Sequence, residues 1–561
     1  MTNRSRLTLF LIAALGVGGL TGFFWPRDDD FFALRKNFQI FGSIYEELVG
    51  GYVDPLDAER LIRTGIHAML RDLDPYTTFM DEAVSADIEI FSRGRLAGVG
   101  LNLGMRGGRV TVLSPVEGAS GYKQGVRAGD LIVSVAGQPV DDLSLSAVYA
   151  LLNGEPGTAV EVVIERAGEA EPLPFLLTRE ATTITNVSYA GFLDDDTTAG
   201  LGYIKLERFG RDADAEVRTA LQDLQATDAL QGLVLDLRDN PGGLLDAAVN
   251  IVQLFVPQGS TVVTTRGRLD EAERVYQSRI PPLAPDLPVV VLINDVSASA
   301  SEIVSGALQD LDRAVVLGEA SFGKGLVQVV RQLPHNTSLK MTTSRYYIPS
   351  GRSIQAIEYG AQDGSATAIP DSLRRTFQTA NGRTVLDGRG IEPDVPVVVG
   401  IDSELEAALV RRAAFFFYAN EYAAAHPAST VEDRFFGRGR DVELDIDAAY
   451  DGFQDWLRTQ DFAYRTDAEE AIAALTEELD TIGYADAEDE ADRLRRAILD
   501  EKEEDFARHA ERLQQRLRTE ILARYLSDQA LIKALLDYDP QVAEAVTYLT
   551  DADAYAGVLA P

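Results

Sequence analysis

The chain has no cysteine. That excludes a disulfide framework, a thiolate nucleophile, a cysteine-ligated zinc and a lipidated cysteine anchor. Histidine is scarce: His67, His335, His426 and His509 are all there are, and none falls in a metal-ligand spacing such as HExxH. Lysine is nearly as rare, seven of the 52 basic residues, against 88 acidic ones. The resulting net charge of −36 repels phosphate backbones, which argues against a nucleic-acid partner. An acidic, lysine-poor composition fits a saline habitat or an arginine-favouring genome equally. Internal repeats and low-complexity tracts are also missing. With 561 residues, the chain is too long for one core and should form three or four units.

What is present begins with an export signal. Arg4 and Arg6 precede an apolar run from Leu7 to Trp25, followed by Arg27-Asp28-Asp29-Asp30. The run is long enough to span a bilayer core, and the flanking charges place the N-terminus in the cytoplasm. No clear Ala-x-Ala site follows, so an uncleaved anchor over residues 1–30 is expected rather than a cleaved signal peptide. The rest of the chain is then expected outside the cytoplasmic membrane.

Four further regions follow. Residues 31–91 show helical spacing (Ile40, Phe41, Ile44, Leu48; then Leu61, Ile62, Ile66, Leu70) up to a break at Leu73-Asp74-Pro75-Tyr76. Residues 92–180 read as a β-rich module, with strands at 109–113, 131–135 and 159–164 and one helix at 144–152. Residues 185–400 read as α/β: strands at 201–206, 232–237, 289–293 and 314–317 alternate with helices at 215–224, 244–254 and 299–308. Residues 401–561 are acidic and helical, with Leu494, Ile498, Leu513, Leu517 and Ile521 recurring every four residues within two stretches.

Three motifs carry chemistry. The apolar run Val289–Asn294 feeds Asp295-Val-Ser-Ala-Ser-Ala-Ser-Glu-Ile303, which opens a helix. A serine at a strand-to-helix turn projects from a sheet end, beside first-turn amides able to hold an oxyanion. Ser297, Ser299 and Ser301 alternate there, and helix capping is the plain alternative. Next, Gly318-Glu-Ala-Ser-Phe-Gly-Lys-Gly325 puts Lys324 on a glycine turn after a strand. A serine nucleophile needs a base, and a lysine can serve if burial makes it neutral before attack. The full phosphate-loop pattern is missing. Third, Gly232-Leu-Val-Leu-Asp-Leu-Arg-Asp-Asn-Pro-Gly-Gly243 ends a strand in a tight turn with an available backbone amide.

Taken with TTSRYYIPSGRSIQ (342–355) and GRGIEPDV (388–395), these motifs closely resemble the C-terminal processing, or tail-specific, peptidases of the S41 serine protease family. The resemblance spans about residues 35–400 in family order. It implies Ser299 as nucleophile, Lys324 as general base, Gln328 as the residue that orients the lysine, and the amides of Ala300 and Gly243 as oxyanion hole. It also identifies the β module as similar to a PDZ domain, with Gly98-Val99-Gly100-Leu101 as the loop that binds a substrate carboxylate. The implied fold is a multidomain α/β protein: a PDZ module inserted between an N-terminal helical segment and the α/β protease core, then a helical C-terminal extension. The implied activity is cleavage of exported proteins near apolar C-termini, needing neither metal nor cofactor. One departure is Asp295-Val296, where family members often have a glycine-containing turn.

Two other readings compete. A non-catalytic PDZ scaffold would be expected to lack Ser299 or Lys324, and both are kept. A different enzyme on a related α/β fold, such as an enoyl-CoA hydratase-like protein, would leave the PDZ-like module and export signal unexplained. The last 160 residues lie outside the resemblance; a structural role, a homodimer contact and adaptor docking all fit them.

Overall fold

In the computed structural model, the residues described are 28–81, 95–183, 185–193, 200–227, 229–269, 273–360, 366–399, 403–427 and 444–561. The apolar run Leu7–Trp25 and its flanking arginines fall outside them. Among the described residues no helix is long and apolar enough to cross a membrane. The chain divides into two compact units, Met1–Phe79 with Gly360–Ser365, and Met80–Tyr359 with Ala366–Pro561.

In the first unit, helix α1 (Asp28–Gly51) is followed by helix α2 (Ala58–Arg71). Asp57 caps α2 by accepting from the Arg60 N–H, and Tyr45 reaches across to the Ala58 carbonyl at 2.9 Å. The expected break follows α2: Asp74 accepts from the backbone of both Tyr76 and Thr77.

The second unit opens with the β module. Its strands β1 (Leu101–Arg106), β2 (Arg109–Pro115), β3 (Leu131–Val135), β4 (Ala159–Glu165) and β5 (Leu173–Thr178) pair in that order, so among the described residues β1 is an edge. Helix α3 (Leu145–Leu152) enters after Ser144, whose hydroxyl accepts from the Ala147 N–H. The alternation in β4 turns Val160, Val162 and Ile164 inward onto Val112, Ile132, Val148 and Leu152.

The α/β core is a six-stranded sheet. Its strands are β6 (Val187–Phe192), β7 (Leu201–Leu206), β8 (Gly232–Asp236), β9 (Val289–Ile293), β10 (Val315–Gly318) and, from later in the chain, β13 (Val395–Pro396). They pair in that order; β6 is antiparallel to β7 and the rest run parallel. Helices α4 (Ala213–Gln225), α5 (Leu245–Val252) and α6 (Ala300–Asp310) all cover one face, over Leu233, Leu235, Val289, Val291, Ile293 and Val316. Between β10 and β13, a hairpin of β11 (Leu326–Gln332) and β12 (Ser338–Tyr347) joins Thr261–Gly267 in a separate antiparallel sheet.

The intervening residues Tyr203, Val234, Val290, Leu292, Val315 and Leu317 point to the opposite face and are equally buried. Their cover comes from the C-terminal extension. Helices α10 (Pro540–Thr550) and α11 (Ala552–Leu559) lay Val542, Ala545, Leu549 and Val558 on this face. The Tyr555 hydroxyl is 3.0 Å from both the N–H and the carbonyl of Val289. Earlier helices of the extension, α7 (Ala414–Ala425), α8 (Ile446–Thr459) and α9 (Ala510–Leu522), build their own core, in which Leu513, Leu517 and Ile521 are fully buried against Phe415 and Phe453. The expected stripe fails at Leu494, which is exposed. Its helix, Ala485–Lys502, is in the main a hairpin partner of Asp467–Ile482, outside that core.

The extension also grips the β module. Arg524 is buried, stacks over Phe416 and donates to the Asn420 side-chain oxygen at 2.7 Å; the Asn420 amide donates to the Gly129 carbonyl at 3.1 Å.

Each fully buried Val or Leu is worth about 1.5–3 kcal/mol, so deleting residues 540–561 should remove at least about 5 kcal/mol and expose the second face of the sheet. The truncated chain should bind a hydrophobic dye and melt earlier. Melting like the intact chain would contradict this packing role.

Candidate active site

Strands β8, β9 and β10 are neighbours, and each ends in one of the sequence motifs. Their carboxyl ends therefore bring three turns side by side, at the sheet edge where open α/β folds place ligands. The first turn is Asp239–Gly243, the second Asn294–Ser299 and the third Glu319–Gly325.

Hydrogen bonds tie the first turn to the second. Asp239 and Asn294 bond reciprocally: the Asp239 N–H donates to the Asn294 side-chain oxygen at 2.9 Å, and the Asn294 amide donates to the Asp239 carboxylate at 2.8 Å. The Asn240 carbonyl accepts from the Ala298 N–H at 3.1 Å and the Ser301 hydroxyl at 2.8 Å. Gly242 has φ +96, and a Cβ there would lie 2.5 Å from the Ala298 carbonyl oxygen and 2.9 Å from the Ala300 nitrogen. Only glycine permits that approach. Phe209 brackets the same turn, donating to the Gly242 carbonyl and accepting from the Leu244 N–H. Among the described residues, the N–H groups of Gly243 and Ala300 have no acceptor.

The three serines have different surroundings. Ser297 and Ser301 are fully buried, and their hydroxyls donate to the Leu237 and Asn240 carbonyls, both at 2.8 Å. Ser299 is half-buried, at the cap of α6, with φ +56 and ψ −107. That backbone conformation is sparsely populated for a side-chain-bearing residue and costs on the order of 1–3 kcal/mol. Its neighbours hold it from both sides. The Ser299 N–H donates to Glu302 at 2.7 Å, and the Tyr346 hydroxyl donates to the Ser299 carbonyl at 3.1 Å.

The same two residues bind the third turn. One oxygen of Glu302 accepts from the Ser321 hydroxyl at 2.6 Å and the Gly323 N–H at 2.7 Å. The other accepts from Ser299 and from the Lys324 N–H at 3.0 Å. The same Tyr346 proton is shared with the Lys324 carbonyl. Glu302 is wholly enclosed; its burial, opposed by the hydrogen bonds from Ser321, Ser299, Gly323 and Lys324, pushes its carboxyl up to about 7. Ser299 and Lys324 thus sit on two turns joined through one carboxylate and one phenol. Gln328 stands at a bulge in β11, its amide 3.3 Å from the Thr342 hydroxyl.

Beneath the first turn, Asp236 ends β8. Burial alone would raise its pKa, but the Arg238 guanidinium and Lys205 ammonium outweigh burial and hold the carboxyl well below the usual range. Arg238 also pairs with Asp539 at 2.7 Å and Gln541 at 3.0 Å, which connects the turn to α10.

In the β module, Gly100 has φ +72, and a Cβ there would meet the Ala119 side chain at 2.1 Å. The Val99 and Gly100 carbonyls accept from Gly121 and Val116, both at 2.9 Å. Among the described residues, the N–H groups of Val99 and Gly100 have no acceptor. Val99 and Leu101 are buried in the module's core. Gly98 ends the strand Arg95–Gly98, which pairs with Glu180–Thr183.

Glu302, Tyr346 and Asn240 were not singled out from the sequence. Glu302 had a local signal, standing three residues after Ser299 in a capping-box spacing. Tyr346 had none, because its partners lie 22 and 47 residues away.

Comparison with known proteins follows the same divisions. Residues 200–364 match Peptidase family S41, residues 111–166 a PDZ domain, and residues 405–549 the C-terminal helical domain of probable PDZ-proteases. The carboxy-terminal-processing protease of Bartonella bacilliformis is 37% identical over 325 residues, covering 57% of this chain and 73% of that protein. The carboxyl-terminal-processing protease of Synechocystis is 36% identical over 307 residues, covering 54% of this chain and 70% of its own. Among solved structures, the photosystem II D1 C-terminal processing protease is 29% identical with a TM-score of 0.37, covering 64% of this chain and 88% of that one. The family matches and the Bartonella and Synechocystis relatives make the chain a member of the carboxy-terminal-processing proteases, serine-type peptidases of family S41 that here carry a PDZ domain.

Proposed function

We propose that the chain cuts exported proteins near their C-termini with a Ser299/Lys324 dyad. The observation that carries this reading is the Glu302 carboxylate, which joins the turn of the half-buried, strained serine to the turn of the lysine. Ser299 Oγ attacks the scissile carbonyl carbon while the neutral Lys324 amine takes the hydroxyl proton. The N–H groups of Gly243 and Ala300 receive the oxyanion. The lysine returns its proton to the leaving amine, which leaves an acyl-enzyme. Water, deprotonated by the same amine, then hydrolyses the ester and frees Ser299. Gln328 orients the lysine, and Glu302 is a positioning residue. The PDZ loop Gly98–Leu101 recruits apolar C-termini bearing a free carboxylate, through the amides of Val99 and Gly100. The Arg-flanked run Leu7–Trp25 supports a place in the cell envelope, anchored in the cytoplasmic membrane.

Ser299→Ala should abolish cleavage of an unstructured protein while leaving the melting temperature nearly unchanged. Ser297→Ala and Ser301→Ala should keep activity at a stability cost of about 1 kcal/mol each. Lys324→Ala should be nearly as inactive as Ser299→Ala. Lys324→Arg should not rescue, since a guanidinium does not give up its proton. Cleavage by the Ser299→Ala or Lys324→Ala chain at the normal rate would end the dyad assignment.

The sign of the Glu302 effect follows from its raised pKa. Between the ordinary 4.5 and the folded value of about 7, the native chain binds the proton more tightly than the unfolded one. That stabilisation is complete below pH 4.5 and is lost as pH rises through 7. Relative to Glu302→Gln, the wild type should therefore lose about 3 kcal/mol between pH 4.5 and 7.5. Parallel stability curves would contradict the raised pKa.

Protease shaving of spheroplasts should digest the catalytic region, and the purified protein should keep its first twenty residues. A chain protected from shaving would overturn the envelope location.

A further inference from the structure

Strand addition to a PDZ edge requires the outward-facing backbone groups of that edge. Among the described residues β1 is an edge strand, paired with β2 on one side only. At its centre the Leu103 N–H points away from β2 and already has a partner: it donates to the Tyr149 hydroxyl at 2.8 Å. Tyr149 belongs to α3, the helix that lies beside β1. On the same helix Val148 and Leu152 anchor the backbone in the core, while Tyr149 is only half-buried. Its phenol thus reaches from helix to strand across the space an incoming peptide strand must enter. The carboxylate-binding end of the same edge is unoccupied by the chain's own groups, because the N–H groups of Val99 and Gly100 have no acceptor among the described residues.

We propose that Tyr149 is an internal competitor for the peptide site: its hydroxyl occupies the ladder donor on Leu103, and a substrate C-terminus pairs with β1 only after the phenol turns aside. This rests on the recruitment role proposed for the PDZ loop. Two hydrogen-bonded states follow. In one, Leu103 donates to Tyr149 and the edge is closed. In the other, Leu103 donates to a peptide carbonyl and the tyrosine hydroxyl is released to water. The competitor discriminates among ligands, because only a peptide that fills the carboxylate end and supplies an apolar terminal side chain gains enough to displace it.

Removing the hydroxyl while keeping the ring isolates the effect. The full chain carrying Ser299→Ala, which leaves peptide intact, is titrated with a fluorescent peptide ending in an apolar residue, as free acid and as C-terminal amide. Adding Tyr149→Phe should tighten binding of the acid about three- to tenfold, the worth of one neutral hydrogen bond. Hydrogen exchange at Leu103 should also quicken in the peptide-free variant and slow again when peptide is added. Equal or weaker binding by Tyr149→Phe would overturn the proposal, since the tyrosine would then be inert or a ligand contact. If neither the parent chain, Tyr149→Phe nor Tyr149→Ala distinguishes acid from amide, the recruitment reading falls and the competitor role with it.

Discussion

One buried carboxylate organises the turns at the carboxyl end of the central sheet. Glu302 reaches back to the Ser299 N–H and forward to Ser321, Gly323 and Lys324, so four donors from two turns converge on two oxygens. Without them the charge would be expensive to enclose. With them, it sets the spacing between a strained serine and a lysine turn that follows a different strand. Tyr346 repeats the connection through carbonyls, touching Ser299 and Lys324 from a third segment. The glycines of the Asn-Pro-Gly-Gly turn serve the same geometry, since a side chain at Gly242 would push the Ser299 turn away.

This arrangement depends on the sheet beneath it, and the sheet depends on the end of the chain. All three crossover helices sit on one face, so the alternate residues of β8, β9 and β10 would face water unless something else covered them. The C-terminal helices α10 and α11 supply that cover. Arg238, which grips Asp236 at the end of β8, is itself held by Asp539 and Gln541 at the start of α10. The extension therefore supports the base of the Asp239–Gly243 turn, and through Arg524 and Asn420 it also holds the PDZ module. A region outside the shared motifs thus connects the PDZ module to the α/β sheet.

Much of this was legible locally. The runs Leu201–Leu206, Leu131–Val135 and Val289–Ile293 form strands with the expected boundaries, because short apolar runs bounded by polar or turn residues are local signals. The strand-to-helix turn at Ser299 was visible for the same reason. What stayed hidden was long-range. The unbroken apolar character of Val289–Ile293 signals a strand covered on both faces, yet nothing local says that the second cover comes from residues 540–559. Tyr346 and Tyr149 look like ordinary aromatic residues of a strand and a helix; only their hydroxyl partners distinguish them. Leu494 shows the converse: it continues a helical apolar spacing but lies exposed on a two-helix hairpin that buries Ile472 and Ala491 instead.

The central claim is that Ser299 is made reactive by Lys324. Its most direct test is mass spectrometry of the intact chain after treatment with a serine-directed phosphonate, over a range of pH. The account predicts one adduct, on Ser299, that forms faster as pH rises and is nearly absent in Lys324→Ala. Labelling of Ser297 or Ser301, or undiminished labelling of Ser299 in Lys324→Ala, would contradict it.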